Sequence, residues 1–132
     1  MKKTKINIEY PLNTKSNKLI WTLISTAEGL QKWIADYVKE EDGRFVFTWG
    51  EAWTENHSLT AKILHREPMR SVKLRWENEE CDEAYIELSI AKSDITGQQT
   101  LSITDYAEEG DEDNLRDLWE GDLERLHHSS GL

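Results

Sequence analysis

The sequence predicts an α+β domain in which an antiparallel sheet is closed by a helix at the C-terminal end. Three observations carry this reading. Between Asn114 and Leu126 the large apolar residues are Leu115, Leu118, Trp119, Leu123 and Leu126, spacings that gather them on one stripe of an α-helix. Upstream, from about Phe45 to Tyr106, apolar and polar residues alternate, the period of strands buried on one face. The connections between these segments are short, so successive strands run antiparallel as a meander.

The elements follow in order. Lys5 to Tyr10 alternates with Ile6, Ile8 and Tyr10 on one face, and Pro11 closes this first strand. Ser16 is a good N-cap for a short helix carrying Leu19, Ile20, Leu23 and Ile24. Ser25 or Thr26 breaks and recaps the chain, and a second short helix follows with Ala27, Leu30, Trp33 and Ile34 on one face. Asp42-Gly43, between Tyr37–Lys39 and Arg44–Trp49, marks a hairpin, with a weaker turn at Gly50-Glu51. A longer strand from Trp53 to Arg66 turns Leu59, Ala61 and Ile63 inward, and Glu67-Pro68 connects it onward. Ser71 to Trp76 directs Val72, Leu74 and Trp76 inward. Glu77 to Glu83 is a polar loop; Ala84, Ile86, Leu88 and Ile90 mark the next strand. Asp94 to Gly97 turns the chain into a last strand marked by Leu101 and Ile103.

With 132 residues, the chain is sized for a single domain, residues 1–132, around one core. Sixteen basic and 26 acidic residues give a net charge of −10, which argues against a nucleic-acid partner and against anionic membranes. The acidic excess clusters at Glu108, Glu109 and Asp111 to Asp113, then Asp117, Glu120, Asp122 and Glu124, and reads as a solvated face. The single cysteine, Cys81, can form no internal disulfide, and its acidic neighbours do not activate a thiolate. The basic N-terminus lacks the apolar run of a signal peptide, and Leu19 to Ala27 is too short to insert in a membrane. The expected location is the reducing cytoplasm.

Strand, two short helices, antiparallel sheet and long C-terminal helix together resemble the helix-grip fold of the START-like superfamily, also called SRPBCC. In that fold a curved sheet wraps the last helix. The local sequence is similar to one branch, the AHSA1-like proteins, which resemble the C-terminal domain of the activator of the 90-kDa heat-shock-protein ATPase. Ser16 to Trp21 and Ser25 to Trp33 resemble the branch's Ser-Pro-x-x-Val-Trp and Thr-Asp-Pro-Glu-x-Leu-x-x-Trp segments. Gly43 to Trp49 resembles its glycine-plus-aromatic strand, and Leu118 to Leu126 its Gly-Trp-x-x-x-Leu-x-x-Leu helix. The chain departs from the pattern at Asn17, at Thr26-Ala27 and at Leu118, where the branch has proline, Asp-Pro and glycine. The resemblance implies no shared catalytic triad or metal-ligand set.

What it implies is a cavity between sheet and helix, and the aromatic residues are placed to line one. Trp49 and Trp76 fall on the sheet face that the helix covers, Trp119 faces them, and Trp33 borders the cavity mouth. These four, with Trp53 and Leu115, are the pocket candidates, against the alternative that six tryptophans simply fill a small core. Asp122 falls within the apolar stripe of the last helix and is the candidate polar contact. The leading expectation is a non-catalytic module binding a small hydrophobic or lipid-like molecule. The alternatives are a chaperone-associated interaction domain and, less favoured, a cyclase- or hydrolase-like enzyme using Asp122. No catalytic residue, cofactor or metal site is indicated. His57 and His65 share a face of one strand but sit roughly 26 Å apart, and His127-His128 read as a frayed helix end. Oligomeric state is not legible.

Overall fold

The structure, a computed structural model, describes residues 3–14, 16–50 and 57–132. The chain order is β1 (Lys3–Pro11), α1 (Asn17–Ser25), α2 (Ala27–Gln31), β2 (Tyr37–Glu41), β3 (Arg44–Trp49), β4 (His57–Glu67), β5 (Ser71–Trp76), β6 (Ile86–Lys92), β7 (Gln99–Glu108) and α3 (Glu112–Ser130). The strands form one unclosed antiparallel sheet in the order β1-β7-β6-β5-β4-β3-β2. The meander runs from β2 to β7, and the first strand then joins its far edge. Helices α1 and α2 lie against β5, β6 and β2, while α3 packs on β1 and β7. This is the helix-grip architecture that the sequence predicts.

Local chemistry accounts for the element ends. The Ser16 hydroxyl accepts from the Leu19 amide at 3.2 Å and starts α1; the Thr26 hydroxyl accepts from Gly29 at 3.0 Å and starts α2. At the β2–β3 hairpin Asp42 and Gly43 have φ of 51° and 76°, the left-handed pair that matches the twist of the flanking strands. The polar loop after β5 is organised by one guanidinium: Arg75 donates to the carbonyls of Glu79, Cys81, Asp82 and Ala84 at 2.7–3.3 Å. That loop extends past Ala84, so β6 begins at Ile86 rather than at Ala84.

Four expectations need correction. First, α2 ends at Gln31, so Trp33 and Ile34 are buried from the turn that follows and not from the helix face. Second, Leu118 is 68% exposed; the buried stripe of α3 is Trp119, Leu123 and Leu126, with Leu115 half-buried. Third, the C-terminal end of α3 is not frayed. Gly131, at φ 78°, caps it by donating to the His127 carbonyl, and Leu132 is buried in the core, while both histidines sit in the last turn. Fourth, His57 and His65 do not share a face. The pairing of β4 with β5 shifts between Ile63 and His65, so Leu64 is an extra residue and the alternation inverts. Arg66 therefore takes the inward phase, with its guanidinium 5.5 Å from the Phe45 ring centroid.

Burial on the inner face, including Ile20, Leu30, Phe45, Phe47, Leu74, Leu88, Leu101 and Ile103, supplies the main stabilisation, roughly 1.5–3 kcal/mol for each large side chain. The two short helices touch at Gly29, where a Cβ would stand 2.0 Å from the Thr22 carbonyl oxygen and 2.6 Å from the Leu23 Cα. Both are backbone atoms and cannot rotate away. Gly29→Ala should therefore destabilise the fold by about 3 kcal/mol, read as a lowered midpoint in urea denaturation. Leu118→Gln, on the solvent side of α3, should change stability by no more than about 0.5 kcal/mol in the same assay.

Candidate functional site

The inner faces of β3, β4 and β5 present an aromatic surface. Phe45, Phe47 and Trp49 point inward from β3 and lie opposite Ala61, Leu59 and His57 of β4, while Trp76 of β5 lies opposite Ala61. The Trp49 and Trp76 rings are 6.5 Å apart, and Phe47 lies 6.1 Å from Trp49 and 5.4 Å from Trp76, the last edge-on. His57 sits 6.1 Å from Trp49. Phe47 is fully buried, but Trp49, Leu59 and Trp76 are only half-buried. The reason is the position of α3, which packs over β1 and β7 at the other side of the sheet.

The predicted site residues therefore divide. Trp49 and Trp76 belong to this half-open surface. Trp33 is 0% exposed and donates from Nε1 to the Leu23 carbonyl at 2.9 Å, while Trp119 packs against it with the rings tilted by 50° and 6.1 Å between centroids. Trp119 thus meets Trp33 rather than the sheet tryptophans. Leu115 packs half-buried against the core. Trp53 lies outside the described residues.

Asp122 stands on the flank of α3 with its side chain 22% exposed, and accepts from Arg125 Nη2 at 2.8 Å. The same Arg125 nitrogen donates to the Ile34 carbonyl at 3.2 Å, which also accepts from Trp49 Nε1 at 3.0 Å. One carbonyl thus ties α3 to the rim of the aromatic surface. Burial raises the Asp122 carboxyl from its ordinary 3.8 to about 6, against the opposing pull of Arg125. Its neighbour is a permanent cation, so this pair does not form two groups that could exchange a proton.

Two acidic groups escaped the sequence reading. Asp105 extends the inward phase of Leu101 and Ile103 on β7, and accepts from Trp119 Nε1 at 2.9 Å and from the Tyr106 amide at 2.7 Å. Burial raises its pKa, and these two hydrogen bonds oppose the rise. Continuing the period of two past Ile103 finds it. Glu79 lies in the β5–β6 loop and bonds Lys3 at 2.8 Å. Its burial works against the charge, but Lys3, the Cys81 amide and Arg75 together hold its pKa below the ordinary value.

Lys3 and Glu79 border a hollow of about 380 Å³ whose apolar lining is Leu59 and Trp76, with Asn78, Glu80 and Glu108 on the polar side. The volume lies within the range of small-molecule sites. Among the described residues, no group of three or more His, Cys, Asp and Glu side chains is arranged to hold a metal, and no helix is long and apolar enough to cross a membrane.

A family model for a START-like superfamily domain matches residues 1–132. The solved structure of BfR322 from Bacteroides fragilis is 33% identical, with 97% of this chain and 91% of that one covered and a TM-score of 0.64. The Aha1 dimer from Colwellia psychrerythraea is 15% identical over 97% of this chain and 98% of that one, with a TM-score of 0.71. An AHSA1-like protein from Aeromonas hydrophila is 13% identical over 96% and 91%, with a TM-score of 0.70. At those identities the last two share the fold alone. No curated protein matches.

The raised Asp122 carboxyl has a signed consequence. Between its unfolded value near 3.8 and its folded value of about 6, the folded chain holds more protons than the unfolded one. Its contribution to stability therefore falls as pH rises through that window. Urea denaturation of wild type and Asp122→Asn across the window should show wild type losing stability relative to the variant as pH increases, with a constant difference above it.

Proposed function

Because the chain belongs to the START-like superfamily, we propose that it holds a small hydrophobic or lipid-like molecule against the inner face of β3–β5, without catalysing its conversion. The observation that carries this is the position of α3 over β1 and β7, which leaves Trp49, Leu59 and Trp76 half-exposed beside a hollow of ligand size. Water at an aromatic surface is displaced favourably by an apolar molecule, and the adjoining Lys3, Asn78 and Glu79 offer the few polar contacts that fix orientation. Trp33 and Trp119 are buried in the core and do not line this hollow. Asp122 and Arg125 hold the helix at the rim, through Ile34. A cytoplasmic setting fits the lone free thiol.

A second reading, docking on a chaperone, draws on a different feature: Leu118, strongly exposed on α3 beside Asp117 and Asp122. The two readings separate by mutation. Titration with the apolar fluorophore Nile red should show saturable binding to wild type. Trp76→Ala should weaken that binding by about tenfold, the loss expected for roughly 1.5 kcal/mol of apolar contact. Leu118→Asp should leave it unchanged. Equal affinity in wild type and Trp76→Ala, with both folded by circular dichroism, would remove the ligand reading.

A further inference from the structure

On the outer face of the sheet three cations stand side by side. The ladder places Arg44 of β3 directly opposite Lys62 of β4, and Lys62 directly opposite Arg75 of β5. All three take the outward phase, since Phe45, Ala61, Ile63 and Leu74 next to them turn into the core. Neighbouring strands are about 4.8 Å apart, so like charges in this register repel each other. A neutral polar residue in place of Lys62 would suit a solvated face better. With 26 acidic residues to 16 basic ones, the chain has few cations to gather in one row.

Their partners do not cancel them. Arg44 bonds Glu77, while Glu41, which faces Arg44 from β2, lies 3.2 Å from Lys39 instead. Arg75 donates to four neutral carbonyls of the β5–β6 loop, which fix its guanidinium in place and leave its charge intact. Among the described residues neither Lys62 nor Arg75 forms an ion pair. Three cations set against the one carboxylate of Glu77 leave a surplus of two positive charges.

These side chains border one hollow of about 480 Å³, and Leu64 is its apolar wall. Leu64 is the extra residue where the pairing of β4 shifts. It keeps the outward phase of Lys62 and is 44% exposed. The bulge thus sets a leucine beside the cations, on the side of the sheet that no helix covers. A molecule seated here meets positive charge and an apolar side chain together.

We propose that this hollow binds a phosphate monoester carrying a short apolar group: the phosphoryl dianion sits on Lys62 between the two guanidinium groups, and the apolar group lies against Leu64. A phosphoryl group matches the surplus of charge and offers three terminal oxygens to three cations. A carboxylate brings half that charge. The net charge of −10 repels an extended polyanion, whereas a single phosphoryl group needs only this local reversal of sign. Glu77 is the competing anion already present.

The test is nuclear magnetic resonance of the full ¹⁵N-labelled chain, following the backbone amides of Arg44, Lys62, Leu64 and Arg75 during titration with hexyl phosphate. Saturable shifts with a millimolar Kd are expected, weakening as salt is added. Inorganic phosphate lacks the apolar group and hexanoate the second charge; each should bind at least about fivefold more weakly. Lys62→Ala should weaken hexyl phosphate about tenfold or more and leave Nile red binding intact. Glu77→Gln should tighten it. Lys18→Ala makes the same change of charge at an exposed position of α1 and should have no effect. Lys62 and Glu77 are exposed as well, so these variants fold. Trp76, which borders both this hollow and the aromatic one, stays wild type throughout. Sedimentation with vesicles of phosphatidylcholine and phosphatidic acid separates the sources of the phosphoryl group. Protein left in the supernatant assigns a soluble monoester; co-sedimentation that Lys62→Ala abolishes assigns a lipid headgroup to the same site. Hexanoate or inorganic phosphate binding as tightly as hexyl phosphate would overturn the proposal. So would unmoved amides around the hollow, or equal losses in Lys18→Ala and Lys62→Ala.

Discussion

The hydrogen bond from Trp119 to Asp105 is the constraint on which the arrangement rests. It fixes the rotation of α3 about its own axis and its position over β7. From there the contacts continue inward: Trp119 packs at a tilt on Trp33, and Trp33 donates to the Leu23 carbonyl at the end of α1. Sheet, terminal helix, the α2–β2 turn and the first helix are thereby joined through two indoles. Each indole hides a large apolar area and satisfies its single donor, which is the condition for burying tryptophan without a polar penalty. Asp105 is held in a setting that opposes its charge, and the Trp119 and Tyr106 donors are what keep it paired.

Anchoring α3 to one side of the sheet leaves the other side incompletely covered. That asymmetry gives the aromatic surface of β3–β5 its half-open character. The link through the Ile34 carbonyl, shared by Trp49 and Arg125, spans the gap with two hydrogen bonds rather than with packed side chains. A connection of that kind tolerates small changes in separation better than an interdigitated core does. The same division of labour explains why the tryptophans have two fates. Those near α3 became structure, and those beyond its reach kept exposed ring area.

Sequence was most informative where a feature depends on neighbours in the chain. The Ser16 cap, the Asp42-Gly43 hairpin and the Ser71–Trp76 strand each rest on a few adjacent residues, and each is as expected. Legibility ended where pairing with a distant segment decides. The inversion after Leu64 is set by how β4 meets β5, and no residue of β4 announces it. Leu118 falls within the apolar arc of an ideal wheel, yet the bond from Trp119 to Asp105 turns it outward. Asp105 was hidden for a different reason. A carboxylate in strand phase reads as the end of an apolar run, although here it continues the run with a polar partner waiting on α3. Of the pocket residues, Trp49 and Trp76 could be placed by alternation, whereas Trp33 required knowing that α2 stops two residues before it.

Among the described residues the open sheet has two unpaired borders, β1 and β2, and their composition matters for life at high protein concentration. The β2 border carries Lys39, Glu40 and Glu41 within five residues, and β1 carries Lys3, Lys5 and Glu9 before ending in Pro11. Charged side chains and a missing donor both discourage an incoming strand from extending the ladder. These margins thus carry features that work against fibrous self-association.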